Sequence, residues 1–266
     1  MRVPHLLFSV ALLCYFLSAC GYWWNVRRHR RTTFVLATIG VAVGFLTQSV
    51  ALLLYARAVG RPPFATFSEI LILFSWVVAL VYLVAEMRYR TGSLGIFLVP
   101  LAFLATFFAL LIFQYTVQLD PKVRSVWFGM HIVFAFAGLA AFALIFGAGL
   151  MYIIQESQLK SKKIGAFYYR FPSLESLDSI NATAQSFGFP FLTFGLIAGI
   201  IWAGAAKGSL LRWDFQYTLP LLVTWLMYAV LFIGRLAGGW RGRKPSVLAV
   251  LGFCVAVLTY FLHTAK

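Results

Sequence analysis

The chain has 266 residues, 62% of them hydrophobic and 18% aromatic, with a mean hydropathy of +0.89. Only 11% are charged, against about 25% in an ordinary soluble domain, too few to cover a water-facing surface. The net charge of +15 would suggest nucleic acid in a soluble protein, but in a membrane protein it reads first as loop topology.

A spanning helix needs about 20 mostly apolar residues. Eight stretches qualify, at roughly 5–25, 34–56, 67–86, 94–115, 128–154, 186–205, 217–236 and 246–263. Within the first, Leu17-Ser18-Ala19-Cys20, preceded by an apolar stretch and Arg2, resembles a lipoprotein cleavage box. A signal peptide carries its positive charge ahead of the apolar region, whereas here Arg27, Arg28, Arg30 and Arg31 follow it, so a retained helix is expected. Arg88 and Arg90 follow the third stretch. Lys160, Lys162, Lys163 and Arg170 follow the fifth, and Arg235, Arg241, Arg243 and Lys244 the seventh. These loops hold fourteen of the 22 basic residues and lie on one side of an eight-span arrangement. The positive-inside rule makes that side cytoplasmic and places both termini outside.

The connection at 155–185 is expected to carry a short amphipathic helix after Pro172, with Ser173 as its cap. Its Tyr168, Tyr169 and Phe171 suit a membrane interface better than nucleic acid. Pro100, Pro190 and Pro220 fall in or beside spans, where neighbouring helices tolerate them. No sequence repeat stands out. Cys14, Cys20 and Cys254 sit singly, without a CxxC pair, so they support neither a disulfide framework nor a thiolate metal site.

Four histidines carry most of the chemical information in so apolar a chain. His29 lies among four arginines, a poor setting for a cation ligand. His5 opens the first span near the outer surface, where it reads as an interfacial residue or, alternatively to His263, as a second axial ligand. His131, beside Trp127, and His263 lie at the outer ends of the fifth and last spans. Two neutral imidazoles on facing helices can ligate one haem iron axially; the plainer alternative is a pair of interfacial histidines. The outer loop IWAGAAKGSLLRWDFQYT adds Trp202, Trp213 and Asp214, with Lys207 and Arg212. Its indoles can line a flat ring system and its cations can pair with carboxylates, or the indoles can simply form an interfacial belt. Glu69 is an outward-side acid at a span edge, a place where acids are often functional but can also reach water cheaply. No phosphate-binding loop, zinc-protease or nucleophile-elbow motif occurs, and no nucleophile–base pair is readable. Nothing polar and paired stands at mid-membrane, as a transporter would need.

The run FATFSEILILFSW, the segment LGIFLVPLAFLA and the stretch from SVWFGMHIVFAF to QESQLKSKK resemble the cytochrome c assembly family, its CcsA/HemX/YpjD-like branch. So do FPSLESLDSINATAQSFGFPFLTFGLIAGIIWA, TWLMYAVLFIGRLAGGWRGRKP and the final LGFCVAVLTYF, over about 40–263. The resemblance implies an outward tryptophan-rich loop that presents haem, flanking histidines that ligate its iron, and delivery to apocytochrome c. Carried onto this chain, His131 matches the histidine before the loop, and Trp202, Gly208, Trp213 and Asp214 match parts of it. His263 lies near the second outer histidine. Lys207 and Leu211 stand in place of tryptophans, Phe215-Gln216 in place of Pro-Lys, and Ile233 and Gln48 where haem-exporting members carry intramembrane histidines.

The expectation is an all-α polytopic membrane helix bundle of about eight transmembrane helices, a single transmembrane domain spanning 1–266, in a bacterial inner membrane. It would handle haem b at its outer face through His131, His263, Trp202, Trp213 and Asp214. Its partners would be haem, apocytochrome c, a second assembly subunit and lipid, with no nucleic acid. Catalysis by the chain alone is not expected. The alternative is a HemX-like regulatory or scaffolding protein of tetrapyrrole metabolism without bound haem.

Overall fold

The computed structural model describes residues 2–28, 31–90, 92–113, 125–163, 165, 168–207 and 215–264; side chains at 2, 27, 28, 206, 207, 215–218, 220 and 259–264 lie outside that description. The described chain is all helical. The helices are α1 (Arg2–Arg28), α2 (Arg31–Val59), α3 (Phe67–Tyr89), α4 (Gly95–Leu111), α5 (Val126–Ser161), α6 (Leu174–Lys207), α7 (Phe215–Leu236) and α8 (Arg243–Thr264). By length and composition α1, α2, α3, α5 and α6 can each cross a membrane, and α4 and the Leu221–Leu236 part of α7 are shorter apolar helices. In a bilayer every backbone N–H and C=O must be paired internally, which long continuous helices achieve. The chain is a multi-pass helical membrane protein.

The helices form two compact units. One contains α1–α4 together with the segment Gly165–Phe171, and the other contains α5–α8. Neighbour order is the same in each: the first helix packs on the second and fourth, and the third on the second and fourth. No sequence repeat announces this correspondence.

In the first unit, polar side chains tie the helices together. Gln48, fully buried in α2, accepts from Tyr15 Oη of α1 at 2.6 Å and donates to Ile72 O at 2.9 Å and Ser75 Oγ at 2.6 Å in α3. Thr106 of α4 extends the set through Ser75 Oγ at 2.8 Å. Tyr22 Oη lies 2.5 Å from Tyr82 Oη and 2.9 Å from Thr38 Oγ1. Every hydrogen-bonding position of the Gln48 amide nitrogen is therefore used, which is what burial in hydrocarbon demands. From the α5–α6 connection, Arg170 donates to the carbonyls of Asn25 and Val26 at the end of α1, and Ser93 Oγ donates to Arg170 O at 2.5 Å.

In the second unit, glycine brings α5 and α6 together. A Cβ at Gly138 of α5 would fall 2.9 Å from Leu192 N, and one at Gly195 of α6 2.8 Å from Ala135 N. Such spacing brings the two backbones into direct contact, the small-residue packing typical of membrane helices. The Pro172 region differs from expectation. Ser173 does cap, accepting from Ser176 N at 3.2 Å, but the helix it starts runs without a break from Leu174 to Lys207 and carries Pro190 inside it. The expected short helix and the sixth span are one element. Asn181 and Gln185, which fall within the 155–185 connection, are buried in it.

Candidate functional site

The site is built on the antiparallel register of α5 and α6. Ser125 caps α5, its hydroxyl accepting from Trp127 N at 3.3 Å. One turn on, Phe128 and His131 share a face (i, i+3). On α6, Gly195, Gly199 and Trp202 likewise share a face (i, i+4, i+7). The two faces meet as rungs. The Phe128 ring lies 4.7 Å from the Trp202 ring, centroid to centroid and inclined at 45°. Below it, His131 lies over Gly199, where a Cβ would fall 2.6 Å from Nδ1 and 2.9 Å from Cε1. Only glycine at 199 leaves room for the imidazole at that place.

His131 Nδ1 lies 2.7 Å from the Gly195 carbonyl oxygen. A carbonyl can only accept, so Nδ1 carries the proton, and Nε2 of the neutral ring keeps its lone pair. A backbone carbonyl that fixes the ring and its tautomer in this way is the usual outer support of a metal-ligating histidine. The half-buried Trp202 stands one turn from this imidazole. Among the described residues no group of three or more His, Cys, Asp or Glu side chains gathers to hold a metal ion; here they bring together one imidazole and an aromatic wall.

The remaining expected site residues are placed unequally. Phe146 meets Phe253, and a Cβ at Gly149 would meet Ser246; continued along the antiparallel helices, that register brings the backbone of His263 near the level of His131. The side chain of His263 and the whole of Trp213, Asp214 and Gly208 lie outside the described residues. His5 belongs to the other unit, where its ring stands edge-on to Phe113 at 5.7 Å. Ile233 is 60% exposed on α7.

Glu69 differs most from its sequence reading. Instead of reaching water it is 1% exposed. Arg61 grips both its oxygens at 2.7 Å, Tyr55 Oη donates at 2.7 Å and Ala65 N at 2.7 Å. Thr66 and Glu69 also close a capping box at the start of α3. The Glu69 carboxylate holds the Arg61 guanidinium above its ordinary range. The signal was present in the sequence, since Thr66-Phe67-Ser68-Glu69 is a capping-box spacing.

Residues 64–265 match the family model described as cytochrome C assembly protein. The chain is 30% identical over 311 aligned positions to the cytochrome c biogenesis protein CcsA of Microcystis aeruginosa, covering 98% of this chain and 94% of that protein. It is 29% identical to CcsA of the organism Mesostigma viride, covering 85% and 82% respectively. Among solved structures, a chain titled cytochrome c heme lyase CcmF superposes with a TM-score of 0.68 at 14% identity. The match covers 98% of this chain and 46% of that one, and it speaks for the fold.

Proposed function

The chain belongs to the cytochrome c assembly protein family and is a multi-pass membrane protein of cytochrome c biogenesis, involved in haem handling; on that premise we propose that it binds haem b at the outer face of a bacterial inner membrane and presents it to apocytochrome c. The observation that carries this reading is the His131 imidazole, tied through Nδ1 to Gly195 O and thereby presenting Nε2. His131 would serve as one axial ligand and His263 as the second, with Trp202, Trp213 and Asp214 as the platform. When bound, haem supplies an iron centre whose potential follows its axial ligands and their hydrogen bonds. The chain's part is to orient the imidazole, shield it with Phe128 and Trp202, and hold the Nδ1 proton on the Gly195 carbonyl. A second assembly subunit is the partner expected to share the outer face.

Purification in mild detergent followed by an absorption spectrum tests this. The protein should take up added haemin with a Soret band that weakens or shifts in His131→Ala. A protein that binds no haemin, or a spectrum untouched by that substitution, overturns the ligand assignment. One observation favours the HemX-like alternative. At position 233, where the resemblance places an intramembrane histidine, an exposed isoleucine offers no ligand. A colourless protein that co-purifies with a soluble tetrapyrrole enzyme through the 155–185 segment would support that reading instead.

A further inference from the structure

The end of the second unit where α5 finishes, α6 begins and α7 turns into α8 is closed by charge. Arg235 Nη2 lies 2.9 Å from Asp178 Oδ1, Arg235 Nη1 donates to the Asp178 carbonyl at 3.2 Å, and Gly242 N donates to the same Oδ1 at 3.1 Å. Glu156 joins the closure through Lys160 at 2.8 Å and Arg243 at 3.4 Å.

Behind this closure the polar groups are not paired. Asp178, Asn181 and Gln185 recur at i, i+3 and i+7, one stripe leading from the ion pair into the bundle. Asn181 and Gln185 are each 3% exposed. Neither Asn181 Oδ1 nor Nδ2, nor Gln185 Nε2, nor Arg235 Nε has a hydrogen-bond partner among the described residues. Buried polar atoms are normally paired with protein or with ordered water, so a run of orphans along adjacent turns needs a guest.

The chemistry of the orphans selects the guest. Arg235 Nε and the amide nitrogens must donate, while Asn181 Oδ1 must accept. A bare cation would face the guanidinium and the amide N–H groups, and a bare anion would face Asn181 Oδ1 and the Asp178 carboxylate. A molecule that both donates and accepts fits all of them. The geometry points to an internal hydration site, a small cluster of bound water held by Asn181, Gln185 and Arg235 Nε. It is reached past the Arg235–Asp178 pair, whose side chains retain 15% and 17% exposure. The cluster solvates the ion pair from within and bridges α6 to α7, and this assignment does not depend on haem.

A high-resolution cryo-EM map of the full chain in lipid nanodiscs tests it. Density for water within hydrogen-bond distance of Asn181 and Arg235 Nε is expected. A map in which these amides pair with protein atoms, with no such density, overturns the site. A second arm uses the Asn181→Leu/Gln185→Leu double variant and the milder Asn181→Ser. Stranding bound water should lower the thermal midpoint of the double variant by several degrees, while Asn181→Ser keeps both the midpoint and the density. A double variant as stable as the parent, or more so, means the orphans were dry and overturns the proposal. Should the double variant fail to fold, the parent map and Asn181→Ser still decide.

Discussion

The two four-helix units arrange their helices in the same neighbour order but differ in what joins their inner helices. In α1–α4, polar side chains cross between helices and are satisfied: Gln48 with Tyr15, Ile72 and Ser75, and Glu69 with Arg61, Tyr55 and the Ala65 amide. In α5–α8, Gly138 and Gly195 bring α5 and α6 to backbone contact, and buried amides near one end have no partner among the described side chains. Lipid tails are as apolar as leucine, so helices in a bilayer gain little by hiding apolar surface from one another. Association must come from hydrogen bonds or from close packing, and the α5–α6 pair relies chiefly on the second. The difference teaches where function can sit. A paired network is committed to holding helices, whereas a glycine seam leaves backbone carbonyls near the surface of α6, and Gly195 uses one of them to aim His131.

The contrast can be broken by mutation. The largest effect is expected from Glu69→Ala, which leaves the Arg61 guanidinium without its partner in a site where both side chains are nearly buried. Removing one member of a buried ion pair typically costs roughly 3–5 kcal/mol, read as a fall in the thermal unfolding midpoint in detergent. A loss no larger than that of an exposed charge would show the first unit is not pinned there. Next is Gly195→Ala, whose new Cβ would fall 2.8 Å from the Ala135 backbone nitrogen. Backbone cannot move aside as a flexible side chain does, so a cost of about 1–3 kcal/mol is expected. The same shift should displace the carbonyl that holds His131, so haemin uptake should weaken along with stability. Normal stability and normal uptake would together argue against the glycine seam as the positioning element. The smallest effect belongs to Gln48→Leu. It removes several bonds at once, yet interhelical hydrogen bonds in membranes are worth only about 1 kcal/mol each or less. Urea or thermal unfolding of this variant should therefore show a modest loss, with haemin uptake unchanged. If Gln48→Leu outweighed Gly195→Ala, the contrast between the Gln48 network and the α5–α6 glycine seam would fail.

Much of this was legible from composition and order. The eight apolar stretches became eight helices among the described residues because length and hydropathy are properties of each segment alone. The family could likewise be read from local motifs, since FATFSEILILFSW and SVWFGMHIVFAF stand in the chain as contiguous text. His131 and Trp202 could be named as candidates for the same reason. What could not be read was their pairing. Nothing local says that residue 131 faces residue 199, for that depends on the α5–α6 register. Glu69 illustrates the limit from the other side. The capping-box spacing was visible, but its burial depends on Tyr55 and Arg61 arriving from the end of α2 and the turn beyond it.

The sequence alone determined that this is a multi-pass helical membrane protein of the cytochrome c assembly family. Apolar length and local motifs are written residue by residue, and the membrane enforces helices on them. Only the tertiary structure decided that the helices divide into two units, that α6 runs unbroken through Pro190, and that the Gly195 carbonyl turns the Nδ1 side of His131 inward. Those outcomes rest on which residues meet across helices, and a side chain's partner in a bundle is set by register and close approach.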